Sequence, residues 1–221
     1  MPISALDQKL WFPSPEQSEP DGLLAFGGDL SPERLLLAYQ SGIFPWYSDG
    51  EPILWWSPNP RFVLYPQNLK ISDTMRQLLK KQVFRITFNH DFESVIENCS
   101  QKPRKDQDGT WINQAMIDAY IMLHEKGFAK SVEVWKENVL VGGLYGLAIG
   151  NCFFGESMFS HASNASKAGF LSFVLHYIPK GLQLVDCQIH SSHLQSLGAE
   201  MVERKTFLDI LKKNNNLESI F

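Results

Sequence analysis

Residues 139–159 read VLVGGLYGLAIGNCFFGESMF, and this stretch decides the fold of the 221-residue chain. Two apolar runs flank Gly150-Asn151, a dipeptide that favours the tight turn of a β-hairpin. The preceding run, residues 131–135, alternates between apolar and polar side chains, and residues 136–138 read as a turn. Together these segments predict an antiparallel meander of three strands.

Helix and strand signals surround the meander on both sides. A helix is predicted from Ser31-Pro32-Glu33, because Ser caps helices and Pro is tolerated in the first turn, and Gly42 ends it. Further helices are predicted at 72–82, 92–99, 112–125, 164–177, 193–197 and 207–213, and strands at 84–88 and 182–188. Antiparallel strands followed by a helix and another strand predict a mixed α/β fold, an α+β arrangement around a mixed sheet.

The composition predicts a soluble globular protein, since 44% of residues are hydrophobic and 20% are charged. No apolar run reaches the roughly 18 residues of a membrane span, and the first ten residues lack the features of a signal peptide. The three cysteines are odd in number and form no CxxC pair, which favours a reducing compartment. We therefore expect a cytoplasmic protein with no membrane segment, no disulfide framework and no metal site.

Charge and aromatic residues leave nucleic-acid binding open. The net charge of −4 does not predict it, but residues 70–105 hold eight basic and four acidic side chains. A solvated face and a patch for a phosphate backbone explain that excess equally well. The first 60 residues are rich in Pro, Gly and Trp, and their rings predict either a small aromatic core or platforms that stack on nucleobases.

Acidic residues interrupt two of the predicted strands. Residues i and i+2 of a strand share a face, so Glu156 is expected to point with Met158, and Asp186 with Gln188. A carboxylate in an apolar strand is costly unless something pairs with it or binds to it. Asp186 can accept a proton or orient an amine, and Gln188 can donate to a developing oxyanion. A buried hydrogen-bonded pair is the alternative, and these two residues alone favour it.

The predicted helix at 164–177 presents aromatic side chains on one face, with apolar residues of the strands around them. Such a stripe is typical of a core. The alternative is a large apolar pocket that has Glu156 at its lip, where the carboxylate would hold a substrate ammonium group.

The ordered set of motifs resembles the leucyl/phenylalanyl-tRNA–protein transferase family over most of the chain. The segments that carry the resemblance are FPSP at 12–15, GLLAFGGDLSP at 22–32, GIFPW at 42–46, ILWWSP at 53–58, TWI at 110–112, SVEVW at 131–135, LVGGLYG at 140–146, GESMFS at 155–160, NASK at 164–167, DCQ at 186–188 and SLGA at 196–199. Each segment alone is a weak signal, whereas their order along one chain is highly specific.

The resemblance implies a small N-terminal domain at 1–62 and a C-terminal domain at 63–221 that is like the acetyltransferase (GNAT) fold. It implies transfer of Leu or Phe from an aminoacyl-tRNA to the N-terminal α-amine of proteins that begin with Arg or Lys, which marks them for degradation. Weak transfer of Met is expected, because one methylene in an apolar pocket discriminates by only ~1–3 kcal/mol. The tRNA ester is already activated, so no cofactor is expected, and we expect a monomer.

The resemblance also assigns roles to residues. Asp186 and Gln188 would be catalytic, and Glu156 would orient the aminoacyl ester. Trp46 and Trp111 would contact the terminal adenosine of the tRNA. The pocket for the Leu or Phe side chain would consist of Leu144, Met158, Phe170, Phe173, Tyr177 and Val185. The tRNA backbone would be held by Lys70, Arg76, Lys80, Lys81 and Arg85.

Two alternatives remain open from the sequence. One is a GNAT-like acyltransferase with a small acyl donor, which tight binding of coenzyme A would favour. The other is a non-enzymatic module for tRNA or peptides, built on the aromatic platform, which would bind tRNA without turnover.

Overall fold

A computed structural model describes residues 3–101, 112–215 and 218–221 and arranges them around two β-sheets. The strands are β1 Ser4–Leu6, β2 Leu23–Gly27, β3 Phe44–Pro45, β4 Leu54–Trp56, β5 Arg61–Leu64, β6 Arg85–Phe88, β7 Ala129–Lys136, β8 Val139–Ile149, β9 Cys152–Ser160, β10 Leu184–Gln188 and β11 Glu200–Val202. The helices are α1 Pro32–Gln40, α2 Asp73–Lys80, α3 Phe92–Ser100, α4 Gln114–Glu125, α5 Ala165–Tyr177, α6 Ser192–Gln195 and α7 Arg204–Asn214. The predicted mixed α/β fold is confirmed.

The strand order shows why one place in the larger sheet is open. The small sheet runs β1-β2-β4-β3, and the seven-stranded sheet runs β11-β5-β10-β9-β8-β7-β6. β7, β8 and β9 form the predicted antiparallel meander, whereas β9 and β10 are parallel because α5 connects them. That parallel pairing stops where Phe154 faces Asp186. Beyond this pair β9 continues to Ser160 and β10 ends at Gln188, so the two strands leave a gap.

A β-bulge in β9 overturns one sequence prediction. Gly146 pairs with Gly155 and Tyr145 pairs with Ser157, so Glu156 is an extra residue without a cross-strand partner. An inserted residue exchanges the two faces of the strand beyond it. Glu156 consequently points to the side of α1, where it contacts Tyr39, whereas Met158 packs in the apolar cluster on the other side. The prediction that Glu156 and Met158 point the same way is wrong.

Two apolar cores lie against the seven-stranded sheet. The first contains side chains from α1, α4 and the small sheet together with Tyr145 and Phe154 of the large sheet. The second contains the apolar face of α5 and Met75 of α2. The first core therefore joins the N-terminal residues to the sheet that carries the gap, which brings side chains of α1 close to β9.

The predicted domain boundary between residues 62 and 63 falls inside β5. This strand pairs with β10 and β11 of the large sheet, while the strands up to residue 56 belong to the small one. The division into 1–62 and 63–221 stays a prediction. Within the part of the chain that the structure describes, no helix has the length and apolar character of a membrane span.

Candidate active site

A cavity of about 720 Å³ lies where β9 and β10 separate. It brings together most of the residues that the sequence predicted for the site. The predicted residues that line it are Trp46, Leu144, Glu156, Met158, Phe170, Val185, Asp186 and Gln188. Its apolar side is formed by the cluster around α5, and its polar side by Glu156 and Gln188. Such a cavity fits a ligand that is apolar at one end and polar at the other.

Phe173 and Tyr177 do not line the cavity, which corrects the prediction that they form its wall. Phe173 packs behind Phe153, with 4.3 Å between ring centroids, and Tyr177 lies 4.9 Å from Phe173. Both residues follow Phe170 along α5 and are carried away from the gap by the rise of the helix. Phe153, which sequence reasoning missed, forms that part of the wall. Its position in an apolar strand next to Phe154 gave no signal beyond core packing.

Asp186 forms a buried ion pair with Arg61. Nε of Arg61 donates to Oδ1 at 2.8 Å and Nη2 donates to Oδ2 at 2.6 Å, a bidentate arrangement. Both side chains are 0% exposed. The guanidinium lies between the rings of Phe44 and Phe207, at 4.8 and 4.7 Å from their centroids. Sequence reasoning missed Arg61, although an arginine at the start of an apolar strand is a signal of a buried partner.

This pairing limits what Asp186 does chemically. Besides the guanidinium, Oδ1 accepts the backbone N–H of Gln188 at 3.0 Å. Both carboxylate oxygens are thus occupied by donors, and the side chain has no exposed surface through which to take a proton from a substrate. The geometry suits Asp186 to holding Gln188 rather than to acting as a general base.

Gln188 has an unusual backbone conformation. Its φ is +61°, in the left-handed region, which costs a residue with a side chain ~1–3 kcal/mol. The bond from its N–H to Asp186 holds this conformation, and its Nε2 donates to Oε1 of Glu156 at 2.8 Å. Because a carboxylate accepts only, the nitrogen of the amide must face it. The amide therefore spans the gap between β10 and β9 in one orientation.

Glu156 is the titratable centre of the site. Its Oε1 accepts from Gln188 and also from the hydroxyl of Tyr39 at 2.6 Å, and that hydroxyl is hydrogen-bonded to the hydroxyl of Tyr120. Burial raises the pKa of Glu156 to about 7, although the hydrogen bonds from Tyr39 and Gln188, with the hydroxyl of Tyr120 behind Tyr39, act in the opposite direction. The carboxyl group therefore changes its charge near neutral pH.

The two tyrosines were missed by sequence reasoning. Tyr39 is separated from Glu156 by 117 positions and lies on the apolar stripe of α1, and Tyr120 lies on the stripe of α4. An apolar stripe predicts core packing, which both rings also have. Nothing local distinguishes a tyrosine that packs from a tyrosine that also donates to a distant carboxylate.

The predicted RNA-contacting residues are distributed over three places. Trp46 lies at the cavity and packs against Trp56, with 5.7 Å between ring centroids. Trp111 lies outside the described residues. The five predicted basic residues are exposed on or next to α2 and at the start of β6, and α2 packs against α5. In the described ranges, no three His, Cys, Asp or Glu side chains gather in a way that would hold a metal ion.

The matching family models and the similar proteins all belong to one family. The family model of leucyl/phenylalanyl-tRNA protein transferase matches residues 63–212, and that of the family's N-terminal domain matches residues 28–59. A protein of Flavobacterium johnsoniae is 53% identical over 207 residues, covering 94% of this chain and 98% of its own length. A protein of Pseudomonas fluorescens is 56% identical over 207 residues, covering 93% and 91%. Both are named leucyl/phenylalanyl-tRNA–protein transferase.

Solved structures align with this chain at lower sequence identity and with low TM-scores. A GCN5-related N-acetyltransferase-like protein from Streptococcus suis aligns with a TM-score of 0.37 and 15% identity, over 66% of this chain and 60% of its own. L-PGS from Bacillus licheniformis aligns with a TM-score of 0.40 and 10% identity, over 85% of this chain and 64% of its own.

Proposed function

The chain belongs to the leucyl/phenylalanyl-tRNA–protein transferase family, and we propose that the cavity between β9 and β10 receives the aminoacyl end of the charged tRNA. The family's enzymes are aminoacyltransferases. The observation that supports this proposal most strongly is that one cavity has both an apolar wall and the hydrogen-bonded pair Glu156 and Gln188. A leucyl or phenylalanyl ester has an apolar side chain, an amino group and a carbonyl, and so uses both parts.

In this proposal the side chain of the donor enters the apolar wall formed by Leu144, Phe153, Met158, Phe170 and Val185. The α-amino group of the donor then faces Glu156, whose carboxylate accepts its hydrogen bonds. The terminal adenosine lies at the mouth of the cavity, where the indole of Trp46 offers a stacking surface. The family resemblance assigns a contact with the same adenosine to Trp111.

The chemical step joins the amine of the acceptor to the aminoacyl carbonyl. The neutral α-amine attacks, the C–N bond forms, the bond from the carbonyl carbon to the ribose oxygen breaks, and the ribose oxygen gains the proton that the amine loses. The amide of Gln188 stabilises charge on the carbonyl oxygen. Asp186, which is held by Arg61, keeps that amide in place. In this proposal Asp186 therefore contributes to catalysis by orienting Gln188.

For the acceptor, we propose proteins whose N-terminal residue is Arg or Lys, with Leu and Phe as the main transferred residues and Met as a weak one. The family resemblance supports this rule. Marking for degradation, cytoplasmic location and a monomeric state stay predictions of the same resemblance.

The first experiment measures transfer of labelled leucine from charged tRNA to a protein that begins with Arg, without ATP. The matched control is the same protein beginning with Gly. We expect label on the Arg protein and none on the Gly protein. Equal labelling of the two would overturn the acceptor rule, and bound tRNA with no label on either would support the non-enzymatic alternative.

A second prediction concerns the basic surface on α2. The double variant Lys80→Ala/Lys81→Ala is expected to weaken tRNA binding about tenfold and to reduce the slope of log Kd against log salt concentration by about 2, because two phosphate contacts are lost. The measurement is tRNA affinity at several salt concentrations. Lys212→Ala/Lys213→Ala on α7 is the matched control, since it removes the same charge from exposed positions. An equal effect of both double variants would contradict a contact specific to α2.

A further inference from the structure

Two buried hydroxyl groups beside the site have no role in the steps above. Tyr39 and Tyr120 are both 0% exposed, and they come from α1 and α4, on elements that do not form the wall of the cavity. Tyr39 donates to Oε1 of Glu156 at 2.6 Å. Because a phenol has a single proton, Tyr120 must be the donor in the contact between the two hydroxyls. The chain of donors therefore runs from Tyr120 through Tyr39 to Glu156.

Aromatic packing holds both hydroxyls in place. The ring of Tyr39 meets that of Phe154 edge to face, with 5.4 Å between centroids, and the ring of Tyr120 meets that of Tyr145 in the same way at 5.5 Å. Phe154 precedes the bulge by two residues in the same strand, so the packing surface and the carboxylate belong to one element. The hydroxyls thus have little freedom to follow Glu156 if it moves.

We propose that Tyr39 and Tyr120 are positioning residues that hold the carboxylate of Glu156 in the orientation that receives the α-amino group of the donor. This inference rests on the proposed function. The bulge turns Glu156 towards α1, and the two hydroxyls hold it there, while Gln188 reaches the same oxygen from β10. The N-terminal helix α1 thereby becomes part of the active site without touching the substrate.

The charged and titratable groups around Glu156 determine the direction of the expected effect. Tyr39 faces it from α1, Tyr120 from α4, and Asp186 from β10, where Arg61 pairs with Asp186. Burial and the charge of Asp186 raise the pKa of Glu156, whereas the hydrogen bonds from Tyr39 and Gln188, with the hydroxyl of Tyr120 behind Tyr39, lower it. Removing the hydroxyl of Tyr39 removes a lowering influence. The pKa of Glu156 must then rise, and less of the carboxylate form exists at neutral pH.

The test is the variant Tyr39→Phe, which keeps the ring and its packing. We expect the acid limb of kcat/KM for the aminoacyl donor to move upward by about one pH unit, with about a fivefold loss at pH 7 and near-normal activity at pH 9. The acceptor amine titrates identically with both enzymes, so the difference between the two profiles reports on Glu156. The carboxyl carbon of Glu156, followed by NMR in the free protein, should titrate with the same upward shift.

Two further variants make the test decisive. Tyr120→Phe leaves Tyr39 in place but removes the hydroxyl that donates to it, so we expect a smaller upward shift of the acid limb. If Tyr39→Phe fails to fold, the pH profile of Tyr120→Phe tests the positioning role instead. Tyr65→Phe removes the hydroxyl of a half-buried tyrosine that is not among the groups acting on the pKa of Glu156, and it should leave the profile unchanged. If both variants next to Glu156 lose activity equally at every pH, and the carboxyl carbon titrates as in the unaltered chain, the positioning role is overturned. Failure of the unaltered chain to transfer any amino acid would instead overturn the proposed function.

Discussion

Replacement of Asp186 with asparagine is expected to lower both the transfer rate and the free energy of unfolding. The amide group keeps the size of the side chain but replaces one acceptor with a donor, which faces the guanidinium of Arg61. Breaking a buried ion pair on one side leaves an uncompensated charge and typically costs ~3–5 kcal/mol. Urea denaturation measures that loss directly.

The rate is expected to fall because Gln188 loses its anchor. The left-handed backbone of Gln188 is held by the bond from its N–H to Asp186, and without it the amide moves away from the reacting carbonyl. A misplacement of this kind typically costs a factor of about 100 in rate. Single-turnover transfer from charged tRNA, measured below the unfolding transition, gives the rate separately from the stability.

The double variant Asp186→Leu/Arg61→Met separates the two effects. It removes both buried charges, and apolar replacement of such a pair is often neutral for stability. We therefore expect a recovered free energy of unfolding but a rate that stays low, because Gln188 still has no anchor. A normal rate in this double variant would exclude the orienting role. Loss of rate in Asp186→Asn without any loss of stability would favour a general-base role for Asp186.

Replacement of Glu156 with glutamine is expected to reduce kcat/KM for the aminoacyl donor by roughly 10- to 100-fold, since a hydrogen bond to a charged group is worth ~1.5–3 kcal/mol. The substitution preserves volume and removes the charge that would face the α-amino group. With it, the acid limb that arises from a pKa of about 7 should disappear. The measurement is kcat/KM for the donor between about pH 6 and pH 9.

Glu125→Gln is the matched control for this prediction, because it removes the same charge from an exposed position at the end of α4. It should leave both the rate and the profile unchanged. If Glu156→Gln keeps the acid limb of the unaltered enzyme, that limb belongs to another group, and Glu156 does not hold the donor as a carboxylate.

Local patterns explain which parts of the fold were predictable. The start of α1 follows from Ser31, whose side chain accepts from the backbone of Arg34, and the hairpin follows from Gly150-Asn151. Caps, turns and alternation act within a few residues, so they are visible in sequence. The helix predicted at 112–125 begins two residues later, at Gln114, because Asn113 is its cap.

The sequence by itself determined the meander, the mixed α/β fold, the family, and eight of the residues that line the cavity, because local signals and ordered motifs carry that information. Only the tertiary structure decided how those residues act. The bulge that turns Glu156 depends on its pairing with β8, the partner of Asp186 lies 125 positions away, and Tyr39 reaches Glu156 over 117 positions. Packing creates these contacts between segments that are distant in sequence, and no pattern of a few residues encodes them.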